Sequence, residues 1–328
     1  MSAGTTGSSG IATALPARLI SLVDAVRQAL GEVLAGRADA VLLGCDIATY
    51  GGPFRATTGL KDRFGAERVL DTPPNPAAIL GFSRGLKLAG KLPICELPPE
   101  LAARAAGAVV DGVGRFEART GEAGGPFVVR IPVGRVANGM LSDGDSPEAA
   151  LGFAAGLRVV CPSRPVDAWS MLRCAVDPRL GRDPTVVLEP KALYRRLGSP
   201  LPEVPDATAL TTARRARAGS DLTLLAWGAA VPVAIEAAER MTADGYEVEV
   251  VDLRSLVPLD VATLADAVRA TGRALVVHDG AGSFAGAVAA EVTRETFLHL
   301  EAPIGLVSSG DDDWVLRVRE AALATILF

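Results

Sequence analysis

The chain has 328 residues, 49% hydrophobic and 22% charged, which excludes a disordered polymer and leaves enough length for two domains with cores of their own. A net charge of −5 speaks against a nucleic-acid or membrane surface, and the lack of any run of 18 apolar residues predicts no transmembrane helix. The basic residues are 29 Arg against 4 Lys, a bias that fits a GC-rich genome better than a phosphate-binding surface.

Residues 1–15 lack a basic start and an apolar centre, so they are expected to be a flexible tail and not a signal peptide. Short apolar runs then alternate with helical stretches. Strands are expected at 40–44, 92–96, 127–131, 157–161 and 185–189, with Pro93 near a strand start where a missing N–H is tolerated. Helices are expected over 17–35, 77–90, 100–119, 146–155 and 165–176. This rhythm predicts a mostly parallel sheet with helices on both faces.

The rhythm breaks at 201–218, where Pro202, Pro205 and the run Arg214-Arg215-Ala216-Arg217 suggest an interdomain linker. It restarts with strands at 222–228, 247–252, 274–278 and 304–307 and ends in a helix over 312–327. Two α/β domains follow, 16–200 and 219–328. The four cysteines (Cys45, Cys95, Cys161 and Cys174) lie in apolar runs without Cys-x-x-Cys spacing, as expected of reduced core thiols in a cytoplasmic protein.

Several motifs in one order carry a resemblance. They include Leu43-Gly44-Cys45-Asp46-Ile47, Tyr50-Gly51-Gly52-Pro53-Phe54-Arg55, Asp71-Thr72-Pro73, Gly81-Phe82, Ser146-Pro147-Glu148-Ala149, Leu188-Glu189-Pro190-Lys191, Val251-Asp252-Leu253-Arg254, Pro258-Leu259-Asp260 and Glu301-Ala302-Pro303. The chain resembles the beta subunit of the decarboxylating component of 2-oxo-acid dehydrogenase complexes, pyruvate or branched-chain type, in the transketolase-like superfamily. The resemblance implies a pyrimidine-binding domain followed by a transketolase C-terminal domain. It also implies an alpha-like partner in an α₂β₂ assembly, with a lipoyl or carrier-protein acyltransferase beyond it. In that family the alpha chain holds the diphosphate of thiamine diphosphate and its Mg²⁺. This chain lacks the Gly-Asp-Gly metal motif, its only asparagines are Asn75 and Asn138, and no metal ligands are assigned to it.

The resemblance also locates a pocket, and this chain departs from it there. The family has a glutamate, which protonates the aminopyrimidine ring, where Pro76 stands. It has an aromatic residue against that ring where Ala102 stands, and a histidine where Asp143 stands. Cys45 replaces an acid. Pro76, Ala102 and Ile79 are therefore the positions of a degenerate pyrimidine pocket. Asp143 and Glu96 are the candidates for replacement acids, with Glu100 nearby.

Weaker features have structural readings. Asp143, Asp145 and Glu148 crowd a loop–helix junction where Ser146 and Pro147 suit a helix start. Gly280-Ala281-Gly282-Ser283 follows a strand and suits an anion at a helix start, and Asp311-Asp312-Asp313 suits a helix N-terminus. The stretch between Pro303 and the last helix is shorter than the family's, where it packs at subunit contacts. Three functions remain open: a subunit that scaffolds a thiamine-dependent partner, a pseudoenzyme subunit with no cofactor, and an enzyme repurposed around Asp143 or Glu96.

Overall fold

Alternation of side chains along short apolar strands gives each sheet two buried faces, and that pattern organises the chain. The structure is a computed structural model that describes residues 19–52, 54–116, 121, 125–134, 147–152, 155–181, 183–280, 282–310 and 313–328. The tail expected at 1–15 lies outside them.

The strands are Ile20–Ser21 (β1), Ala40–Gly44 (β2), Val69–Asp71 (β3), Leu92–Glu96 (β4), Val128–Val133 (β5), Arg158–Val160 (β6) and Thr185–Pro190 (β7). They continue with Leu197–Gly198 (β8), Arg214–Arg217 (β9), Leu222–Ala226 (β10), Val248–Asp252 (β11), Ser255–Val257 (β12), Ala274–His278 (β13) and Gly305–Ser308 (β14). Seven form one sheet in the order β12-β6-β7-β5-β4-β2-β3, parallel except for β12. Five form a second, in the order β14-β13-β10-β11-β9, parallel except for β9. β1 and β8 make a small antiparallel pair.

Neighbouring residues on one strand serve different cores. Leu42, Ile94, Val128 and Val187 face helices Leu22–Gly36 and Pro165–Ala175. Leu43, Cys95, Val129 and Val186 face the opposite way, into a core that also holds Leu225, Val251, Val276, Leu264 and Phe284 of the second half. The two sheets therefore share one hydrophobic layer. Helices Ala230–Thr242 and Trp314–Ile326 cover the far face of the second sheet. No helix among the described residues is long and apolar enough to cross a membrane.

Local chemistry sets the boundaries. The first helix starts at Leu22, later than the periodicity predicts, because Ser21 caps it with its hydroxyl on the Asp24 N–H while its backbone pairs in β1. The helix predicted over 100–119 divides into a tight turn at Pro99–Leu101, helix Ala102–Val109 and a wider turn at Val110–Gly114. There Gly156 has φ 80°, and a Cβ on it would fall 2.3 Å from the Gly114 carbonyl oxygen, so only glycine fits.

Two strands differ from the sequence reading. The segment expected as a linker, 201–218, ends in β9, which pairs antiparallel with β11 at the sheet edge. Its arginines meet acids of the neighbouring chain segment: Arg214 with Asp252 at 3.1 Å, Arg215 with Glu249 at 3.1 Å and Arg217 with Glu247 at 3.0 Å. A polar run becomes a strand because its cross-strand partners carry the opposite charge. β12, from the second half of the chain, joins the first sheet beside β6.

Just before β12, Arg254 sits 3% exposed at φ 54°. It donates to the Thr212 carbonyl at 2.9 Å, to Asp206 at 2.9 Å and to Asp167 at 3.5 Å, tying the first-half helix Pro165–Ala175, the connecting segment and the second half together. Arg254→Met is expected to lower the free energy of unfolding by about 3 kcal/mol, the lower end for losing one partner of a buried pair, because Arg164 still serves Asp167. Urea denaturation measures it.

Candidate functional site

Parallel strands end on one side of a sheet, and the loops that follow them are where such folds place ligands. At the carboxyl edge of the first sheet, Asp71 accepts hydrogen bonds from the N–H groups of Ala48 and Thr49 and from the Thr49 hydroxyl, which pins the turn after β2. The Thr72 N–H donates to the Gly44 carbonyl and brings the next loop alongside. A Cβ on Gly44 would meet the Glu96 carbonyl oxygen at 2.9 Å, so the bare glycine lets β2 and β4 end side by side.

The pocket positions read from the sequence fall on this edge in different states. Pro76 is the first residue of helix Pro76–Leu88, whose cap is Asn75, with its side-chain oxygen accepting from the Ala78 N–H at 3.1 Å. Both residues serve the helix start, where proline's lost N–H is harmless. Ile79 is buried and packs into the core shared by the two sheets, so its side chain does not line an open surface. Ala102 begins helix Ala102–Val109. Asp143 and Asp145 lie outside the described residues. Cys45 is half-buried with its thiol 3.6 Å from Asp46; burial first, then that carboxylate, pushes the thiol pKa up, away from a reactive thiolate.

Glu96 is not a free acid. It is 4% exposed and accepts from Arg130 at 2.7 Å. Arg130 is completely buried and also holds Glu189 through two bonds of 2.7 and 2.9 Å, and Tyr194 donates to the same Glu189 at 2.6 Å. Burial alone would push the guanidinium down, but Glu189 and Glu96 outweigh it and hold its pKa above the usual value. Burial pushes the Glu96 carboxyl up; Arg130 opposes the rise and Glu189 adds to it. One cation shared between two carboxylates leaves Glu96, with the single bond, as the weaker partner. Glu100 stands exposed on the tight turn that follows.

A second acid emerges that sequence reasoning read only as part of a helix junction. Glu148 starts the short helix Glu148–Leu151 and is 5% exposed. Trp227, just after β10, donates to its Oε1 at 3.3 Å, and its Oε2 has no partner among the described residues. Trp227 is stacked on His278 at 6.1 Å and meets Phe284 edge-on at 5.4 Å. Burial pushes the Glu148 carboxyl up to about 7 and pushes His278 down. No sequence spacing links positions 148, 227 and 278; only the meeting of the two sheets does.

Comparisons with known proteins agree along the chain. The sequence pattern of the transketolase pyrimidine binding domain matches residues 19–196, and that of the transketolase C-terminal domain matches 211–312. The pyruvate dehydrogenase E1 component subunit beta of Leifsonia xyli is 36% identical over 305 residues, 89% of this chain and 87% of that one. The 3-methyl-2-oxobutanoate dehydrogenase subunit beta of Mycobacterium tuberculosis is 36% identical over 293 residues, 87% of this chain and 82% of that one. The chain belongs to the family of 2-oxo-acid dehydrogenase E1 beta subunits. A solved structure described as a split-gene transketolase, inactive beta4 tetramer, matches with a TM-score of 0.69 at 19% identity, covering 94% of this chain and 98% of that one, and supports the fold.

Within this beta-subunit fold, the two buried acids give separate expectations. Arg130→Met leaves Glu96 and Glu189 buried without their cation and is expected to cost about 3–5 kcal/mol, measured by urea denaturation. Glu148 binds its proton more tightly folded, at about 7, than at its ordinary value of 4.5. The folded state then holds more protons between these values, so the contribution of Glu148 to stability is greatest below 4.5 and is lost as pH rises toward 7, by on the order of 3 kcal/mol. Glu148→Gln is expected to remove this contribution, which unfolding titrations at a series of pH values read directly.

Proposed function

We propose that this chain is a beta-like subunit that pairs with an alpha-like subunit of its family and supports that partner without performing the acid step of thiamine diphosphate activation. The observation that carries this reading is the helix start at Asn75-Pro76. Ring protonation needs a carboxylic acid with an oxygen to offer. Pro76 has none, Asn75 is committed to its cap, and Glu96 is committed to Arg130. The residues at this edge therefore do not fit the aminopyrimidine end of the cofactor. In this reading any diphosphate and Mg²⁺ are held by the partner.

The pairing has physical support. The outward face of helix Pro76–Leu88 shows Ala78, Gly81, Phe82, Gly85 and Leu88, with Phe82 and Leu88 each 54% exposed. Nothing lies within 4 Å of a Cβ on Gly81 or Gly85, so a partner backbone has room to approach closely. The two relatives are themselves named as beta subunits. The reading includes an α₂β₂ assembly in the cytoplasm, with an acyltransferase carrying a lipoyl or carrier domain as a further partner.

Native mass spectrometry of the endogenous complex, joined to a decarboxylation assay, tests the proposal. The expected result is this chain and an alpha-like chain in equal numbers, with 2-oxo-acid decarboxylation slower than in an intact enzyme by about the 10²–10⁴-fold that a general acid contributes. Ordinary rates, or a complex of this chain alone, would sink it.

A further inference from the structure

The carboxyl ends of the two sheets converge on one small space. β5 runs into Gly134, the turn after β6 brings Cys161, β10 runs into Trp227 and β13 into Asp279, and Glu148 completes the lining. The cavity holds about 20 Å³. One water needs roughly 10–15 Å³ of such space and two to four polar partners. An ordinary organic substrate does not fit.

Two carboxylates supply those partners. Glu148 has one oxygen on Trp227, and the other, Oε2, is buried with no partner among the described residues. A buried carboxyl oxygen left alone costs free energy unless it meets a hydrogen-bonding group. Across the space, Asp279 has Oδ1 on the Ser309 hydroxyl at 2.6 Å. Its Oδ2 lies 2.8 Å from where a Cβ on Gly134 would stand, so the bare glycine at φ 79° admits the carboxylate. Asp279 is half-buried, whereas Glu148 is enclosed.

We propose that this space is a proton-relay site, in which one water accepts a hydrogen bond from the protonated Oε2 of Glu148 and donates one to Asp279. Glu148 gives its proton to the water as the water gives one of its own to Asp279. One O–H bond breaks and one forms on the water, so atoms and charge balance, and the half-buried Asp279 exchanges the proton with solvent. The remaining groups leave this route intact. Burial pushes the Cys161 thiol well above its usual range, with Glu148, Asp252 and Asp279 adding to the rise, so it stays protonated. Burial lowers His278, which stays neutral against Trp227 while Asp279 opposes the shift. Asp279 also raises Glu148. The inference does not rest on the pairing with an alpha-like partner.

Infrared difference spectra of the full chain, between about pH 6 and pH 8 on either side of ordinary histidine titration, test it. The wild type is expected to show a protonated-carboxyl band that Glu148→Gln lacks. In Asp279→Asn the same band is expected to titrate at lower pH, because a neighbouring negative charge is gone. Its exchange in D₂O is expected to slow by roughly tenfold or more, because the proton has lost its acceptor. No Glu148-dependent band, or a band whose midpoint and exchange ignore Asp279→Asn, would overturn the relay. The half-buried Asp279 substitution keeps the exchange measurement readable even if Glu148→Gln does not fold.

Discussion

A guanidinium with no exposure to solvent, in the middle of a parallel sheet, is the constraint on which this structure turns. Arg130 on β5 is flanked by Glu96 at the end of β4 and Glu189 on β7, so three adjacent strands are fixed in register by charge as well as by backbone bonds. Such a triad is weak evidence for net stability, since desolvating the ions offsets much of their attraction. Its effect is on geometry. With Tyr194 donating to Glu189, the acids at this end of the sheet are mutually engaged, and the strand ends are held where loops from β2, β3 and β4 meet. The same engagement leaves Glu96 buried and bonded to Arg130.

The second constraint is the hydrophobic layer shared by the two sheets. Because Leu43, Val129 and Val186 pack in one core with Leu225, Val251 and Val276, the second half cannot swing freely against the first. β12 and Arg254 reinforce this from the side. A shared layer brings two sets of strand ends together, and polar groups trapped there must find partners in each other. Glu148 and Trp227 do so across the junction, one from each half.

Much of this was legible in the sequence. The runs at 40–44, 92–96 and 274–278 coincide with β2, β4 and β13, because fully buried parallel strands are continuous apolar runs bounded by polar turns. β3 and β12 escaped notice because three residues carry too little pattern. β9 was hidden by its arginines, whose acidic partners on the β11 side lie some thirty residues away. At the site, the sequence singled out Pro76 by its motif, and the structure places it as the first residue of a helix capped by Asn75. The engagement of Glu96 was not, because its partner is Arg130, 34 residues on, and only strand order makes them neighbours. Glu148 looked like a helix-start acid for the same reason: burial at the meeting of the two sheets raises its pKa, and both its bonding partner Trp227 and the Asp279 charge that adds to the rise come from beyond position 220.

These constraints bear on what the helix start at position 76 does for the fold. An acid at a helix start in an apolar setting is held at a cost, since burial disfavours its charge and its proton must remain available. Asn75 and Pro76 carry no such cost: the side chain of one caps the helix, typically contributing about 1 kcal/mol, and the ring of the other presets the first turn. Nothing else in the sheet has to change, because the register rests on Arg130 and the packing rests on the shared layer, neither of which involves position 76. In the proposed reading, removing the acid therefore strengthens a local element while leaving the surface of helix Pro76–Leu88 available to a partner. In that same reading the chain acts through assembly, and the proposed relay at Glu148 sits where the two sheets meet.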